Sequence, residues 1–150
     1  MIFILDVDGV MTTGQFIYSE AGKVYKVFGP HDSDGLKMLK GKFDILFITA
    51  DKRGYGISEK RIVDDMGYEL RLVSEEDRFD YVGNRWDWEY VIYMGDGYCD
   101  ERILKACRFG IAPANARKEA KRAADFITNS KAGEGAVMDA CLEILREFPS

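Results

Sequence analysis

The sequence predicts an α/β fold, a parallel sheet with helices on both faces. Three observations carry this. Short apolar runs alternate along the chain with amphipathic stretches of helical period. The runs are continuously apolar, as strands buried on both faces are, and do not alternate with polar residues. Polar clusters follow directly on three of the runs, and open Rossmann-like sheets bind ligands at the carboxyl ends of their strands.

The first run, IFILDV at residues 2–7, reads as a buried strand and leads into the acidic stretch DGVMTTG. Residues 15–29 alternate around Glu20-Ala21-Gly22 and predict a β-hairpin. A short helix over 33–40 puts Leu36 and Leu39 inward. DILFIT, 44–49, is the second buried strand. A helix over 56–66 follows, with Ser58 as N-cap and Gly67 beyond its end. A strand at 69–73 and a helix at 75–86 come next. YVIYM, 90–94, is a strand that runs into Gly95-Asp96-Gly97. Then come a helix at 99–108, a strand at 109–112, a polar helix at 114–124 and a strand at 126–128. The helix 135–147 puts Val137, Ala140, Cys141, Ile144 and Leu145 on one face. Trp86 and Trp88 read as packing anchors, and Tyr18, Tyr25 and Phe28 as hairpin packing or an oligomer contact.

Composition bounds the function. The 150 residues, 47% hydrophobic and 31% charged, suit one soluble domain with a substantial core. A net charge of −5 without a Lys/Arg block argues against nucleic acid and against an anionic membrane surface as partners. No apolar run reaches the ~20 residues of a membrane span. An odd number of cysteines (Cys99, Cys107 and Cys141) without a CxxC pair suggests reduced thiols in a cytoplasmic protein. The single histidine, His31, excludes a multi-histidine metal site within one chain.

The chemistry sits in the polar clusters. Asp6 and Asp8 follow the first strand, Thr49, Ala50 and Asp51 the second, and Asp96, Gly97 and Asp100 the strand 90–94. The carboxyl-end rule brings all three to one edge of the sheet. Crowded carboxylates raise one another's pKa, and a hard cation relieves the repulsion. Oxygen-only ligands point to Mg²⁺, which shares its site readily with phosphate. A carboxylate can attack phosphorus, and a second one two residues on can protonate the leaving oxygen and then activate water. Thr49 offers a hydroxyl for the phosphoryl oxygens. Arg78, Lys52 or Arg53 offers the cation.

These residues resemble the haloacid dehalogenase (HAD) superfamily of phosphohydrolases. DVDGVMT (6–12) is similar to its first motif, ILFIT ending at Thr49 to its second, and GDGYCD (95–100) to its fourth. Arg78 stands for the Lys or Arg of the third. The hairpin, KVFGPHDSDGLKML and GEGAVMDACLEIL resemble the capless subfamily of 3-deoxy-manno-octulosonate 8-phosphate and nonulosonate 9-phosphate phosphatases. The resemblance implies a single HAD-like hydrolase domain over 1–150, with a hairpin at about 15–29 and no cap, assembled as a homotetramer. It implies Asp6 as nucleophile and Asp8 as general acid/base. It implies Mg²⁺ held by Asp6, Asp8 through its backbone carbonyl, and Asp96, with Asp100 in support. Thr49 and Arg78 would bind phosphate, and a small phosphomonoester, a sugar acid, would meet Asp32, Ser33 and Asp51 near Thr13.

The chain departs from the subfamily pattern in places. Ala50 replaces a glycine, Arg78 a lysine, Thr13 an aspartate and Met138 an arginine, while Asp51 is the acidic residue of the nonulosonate enzymes. Two alternatives follow. One is a phosphatase of the same mechanism for a different small phosphomonoester. The other is a non-catalytic oligomeric module associated with a nucleotidyltransferase.

Overall fold

The computed structural model describes residues 1–149. Six strands form one sheet: β1 (Ile2–Asp6), β4 (Asp44–Thr49), β5 (Glu69–Leu72), β6 (Val91–Met94), β7 (Phe109–Ala112) and β8 (Phe126–Ile127). Their order is β5-β4-β1-β6-β7-β8, and every pairing is parallel. β2 (Thr12–Ser19) and β3 (Gly22–Phe28) form a separate antiparallel ribbon inserted after β1. The helices are α1 (Asp32–Leu39), α2 (Tyr55–Glu59), α3 (Glu75–Arg85), α4 (Glu101–Ala106), α5 (Lys118–Ala123) and α6 (Ala136–Glu147).

β1 is central, pairing β4 on one side and β6 on the other. Successive strand residues face opposite ways. Phe3 and Leu5 therefore pack with Leu36 and Leu39 of α1 and Val137, Ala140, Cys141 and Ile144 of α6. Ile2 and Ile4 pack on the other face with Val82 of α3, Ile103 and Leu104 of α4, and Ala120 of α5. Two covered faces explain why these strands lack polar alternation. Trp88 stacks on Phe79 at 5.0 Å and Trp86 lies edge-on to Tyr81 at 6.4 Å. No helix among the described residues is long and apolar enough to cross a membrane.

The elements follow the sequence pattern, with local corrections. The ribbon starts at Thr12, ahead of the expected residue 15, because Gly14 at φ +87° accommodates a register shift between Thr12 and Phe16. Ser58 does not cap a helix. Gly54 takes that position, and Ser58 is buried inside a helix that widens to π geometry over Lys60–Asp65. The N-cap of α3 is Ser74, which accepts a hydrogen bond from the Asp77 N–H. Of the polar helix expected over 114–124, only α5 is helical. The preceding turn is diverted because the Arg117 N–H donates to the Asp96 carbonyl. The helix expected over 99–108 begins as a 3₁₀ turn at Tyr98–Asp100 and ends at Ala106.

Candidate active site

Asp6 is the last residue of β1, and its parity with Ile2 and Ile4 turns it toward α3 and α4. The loop after β6 supplies Asp96 and Asp100. One carboxylate oxygen from each of Asp6, Asp96 and Asp100 lies within 4.8 Å of the others. Asp100 is locked in place. Its Oδ2 accepts the backbone N–H groups of Asp96 (3.1 Å) and Gly97 (2.9 Å), and its Oδ1 accepts the Tyr93 hydroxyl (2.6 Å). Arg78 reaches in from α3, with its Nη1 3.3 Å from Asp100 Oδ1, 3.4 Å from Asp6 Oδ1 and 3.2 Å from the Tyr93 oxygen. Its side chain is only 4% exposed, so this charge is held entirely by protein groups. Gly9, at φ +80°, is required here, since a Cβ on it would fall on the Asp96 carboxylate.

One buried guanidinium is too little for three carboxylates. Burial raises Asp6 well above the usual carboxylate range, and Asp100 and Asp96 add to the shift against Arg78. Burial, then Asp100, raises Asp96 to about 7. Such a site gains from a divalent cation, which takes the place of the protons. The sign is testable. Between the ordinary pKa of 3.8 and about 7, the folded chain keeps a proton on Asp96 that the unfolded chain has released. Stability of the metal-free protein therefore falls as pH rises through that window, by on the order of 4 kcal/mol. In chelator, the thermal midpoint is expected to be several degrees higher at pH 5 than at pH 8, and millimolar Mg²⁺ is expected to remove the difference. A midpoint insensitive to both would contradict the cluster's electrostatics.

A second charged group lies beside the first. Asp8 does not join the trio, because the strand has ended and its side chain turns to the ribbon. There the buried Lys26 ammonium stands 3.0 Å from Asp8 Oδ1 and 3.0 Å from Asp51 Oδ2. Lys23 adds a 2.8 Å contact to Asp51 and stacks over the Phe16 ring. Burial would raise Asp51, but hydrogen bonds from both lysines outweigh it and hold the carboxyl at about 2.

Asp6, Asp8, Asp51, Arg78, Asp96 and Asp100 line a cleft of about 790 Å³. The other expected residues stand apart. Thr49 is buried, with its Oγ1 accepting the Asp51 N–H at 3.1 Å. Ala50, not Thr49, lines the cleft. Asp32 and Ser33 do not line it either. Asp32 is sealed between α1 and α6, where its Oδ1 accepts the Met138 N–H at 3.1 Å in the first turn of α6. Lys52 and Arg53 are exposed, which leaves Arg78 as the cation at the trio. Sequence reasoning missed Tyr93, Lys23, Lys26 and the Ser74–Glu76 rim. Tyr93 had a signal, a hydroxyl in an otherwise apolar central strand. The lysines had none, because only the folding back of the ribbon brings them here.

An acidic residue ending the central strand, a Gly-Asp loop after its neighbour and a buried arginine between them define a haloacid dehalogenase-like hydrolase. A family model of that description matches residues 83–140. The chain belongs to the family of the 3-deoxy-D-manno-octulosonate 8-phosphate phosphatases. It is 33% identical over 148 residues to the Haemophilus influenzae phosphatase of that name, across 95% of this chain and 81% of that protein. The Escherichia coli K12 phosphatase is 26% identical across 93% and 76% of the two chains. Among solved structures, the cobalt-bound Haemophilus influenzae phosphatase superposes with a TM-score of 0.82 at 30% identity, covering 97% of this chain and 86% of that one. The Moraxella catarrhalis phosphatase, solved with a magnesium ion, a phosphate ion and a KDO molecule, superposes with a TM-score of 0.84 at 27% identity, covering 97% and 85%.

Proposed function

We propose that residues 1–150 act as one Mg²⁺-dependent phosphomonoester hydrolase domain that works through an aspartyl-phosphate on Asp6. Its substrate is a sugar-acid phosphate, an octulosonate 8-phosphate or a nonulosonate 9-phosphate. The observation that carries this reading is the grouping of Asp6, Asp96 and Asp100 around Arg78 at the carboxyl end of the central strand. Asp6 and Asp96, with the main chain at Asp8, would hold Mg²⁺, and Asp100 would support it. The ion supplies charge neutralisation for the phosphoryl group. Arg78 faces the same oxygens. An Asp6 carboxylate oxygen attacks phosphorus, the bond to the leaving oxygen breaks, and Asp8 gives that oxygen a proton. In the second half, Asp8 takes a proton from water as the water oxygen attacks phosphorus. The Asp6–phosphorus bond breaks, and phosphate leaves. Asp51, which lines the cleft, offers the leaving group an acceptor. The exposed side chains of Ile17, Tyr18, Tyr25 and Val27 on the ribbon support self-association into a homo-oligomer, a tetramer by resemblance.

One observation favours a second reading, a phosphomonoester without a carboxylate. Lys23, Lys26 and Arg78 are each already paired with a carboxylate of this chain, so the cleft of one chain leaves no spare cation for a substrate carboxylate. Phosphate release from a panel of phosphomonoesters, with and without Mg²⁺, decides. Selective, metal-dependent turnover of an octulosonate or nonulosonate phosphate is expected. Turnover of other esters alone would move the assignment to the second reading, and turnover of none would leave the fold as a non-catalytic module.

A further inference from the structure

The ribbon presents Tyr18 and Tyr25 outward and a charge inward. In β3, Tyr25 and Val27 are exposed, and the one fully buried residue is Lys26, whose side chain is 0% accessible. Burying an ammonium is costly unless each of its three hydrogens finds an acceptor. Here all three do. Nζ contacts Asp8 across both oxygens (3.0 and 3.2 Å), lies 3.0 Å from Asp51 Oδ2 and donates to Ser58 Oγ at 2.7 Å. Ser58 lies within α2 and Asp51 just after β4, so two elements of the main sheet layer fix the ammonium from behind. Asp8 lies in the turn after β1, and its Oδ1 is buried with no properly directed hydrogen bond. Among the described residues, the cation against that carboxylate is Lys26 of the ribbon.

We propose that Lys26 is a positioning residue that holds the Asp8 carboxyl in the one orientation from which it exchanges protons with the leaving oxygen and with water. This rests on the reading of Asp8 as the acid/base. The ribbon is then part of the catalytic apparatus as well as a surface, since its docking on Ser58 and Asp51 sets the aim of Asp8. A misaimed Asp8 cannot protonate an alkoxide leaving group. An aryl phosphate with a good leaving group needs no such proton, because its phenolate departs as an anion when Asp6 attacks. The role therefore shows as a dependence on the leaving group, which damage to the fold would not produce.

The experiment compares wild type, Lys26→Met, Ser58→Ala and Asp8→Asn on two esters in Mg²⁺. One is the alkyl phosphate that wild type turns over fastest. The other is p-nitrophenyl phosphate, read as the pre-steady-state burst of p-nitrophenolate. Lys26→Met is expected to lower kcat on the alkyl ester about 100-fold with little change in KM, while the burst rate constant stays within about threefold of wild type. Ser58→Ala, which leaves the ammonium but frees it, is expected to show the same split at about a tenth of the size. If Lys26→Met does not fold, Ser58→Ala decides alone. Equal losses on both esters, or no loss on either, overturn the proposal. If Asp8→Asn itself shows no split, the assignment of Asp8 fails instead, so the two failures are distinguishable.

Discussion

Asp6→Asn is expected to lower phosphate release by about 10⁴-fold or more while leaving the protein folded and more stable without metal. Asn keeps the shape of the side chain but cannot form an acyl phosphate. The stability change has the opposite sign from that of most buried substitutions. Burial and the neighbouring Asp100 and Asp96 raise the pKa of Asp6 well above the ordinary value, so its charged form is disfavoured in the folded chain near neutral pH. Asn removes that cost. A thermal midpoint in chelator at or above that of wild type, with turnover lost, separates the loss of a nucleophile from the loss of a fold. Residual turnover within about 100-fold of wild type would rule out Asp6 as the attacking group.

Arg78→Met is expected to do the reverse to stability. The guanidinium is buried between Asp6 and Asp100 and also donates to Tyr93, and its own pKa is raised: burial lowers it, but those partners more than compensate. Removing it leaves the carboxylate trio without a cation from the protein, a change that costs about 3 kcal/mol. On the proposed mechanism activity should fall by about 100-fold or more, since the buried cation beside the attacking Asp6 carboxylate is lost. Because the damage is uncompensated negative charge, millimolar Mg²⁺ or a pH near 5 should restore a large part of the stability in urea titrations. Only Mg²⁺ should restore any activity. A variant equally stable with and without the ion would mean that Arg78 acts as packing alone.

Much of this site was legible in the chain. The acidic pair after IFILDV, the Gly-Asp loop after YVIYM and Thr49-Ala50-Asp51 after DILFIT are local features, and the carboxyl-end rule for parallel strands converts three separated segments into one place. Position alone left Arg78 as one of three basic candidates, and the family resemblance singled it out. Lys52 and Arg53 are nearer in sequence to the second strand yet face solvent, while Arg78 lies on a helix whose packing against β6 carries it to Tyr93 and Asp100. The family resemblance placed Asp32 toward the substrate. It instead caps the first turn of α6, 106 residues away, a pairing no local pattern contains.

By itself, the sequence determined the parallel sheet, its two covered faces and the acidic edge, because strand burial and the position of polar residues at strand ends are written in short-range patterns. Which carboxylates share a cation, and which are held by ribbon lysines, was decided by tertiary structure alone. Asp6 and Asp8 are two residues apart, but β1 ends between them. Asp6 joins Asp96, Asp100 and Arg78, while Asp8 joins Lys26 and, through it, Asp51. Coulomb energy depends on separation in space and on burial, and both are set by where the ribbon and α3 pack.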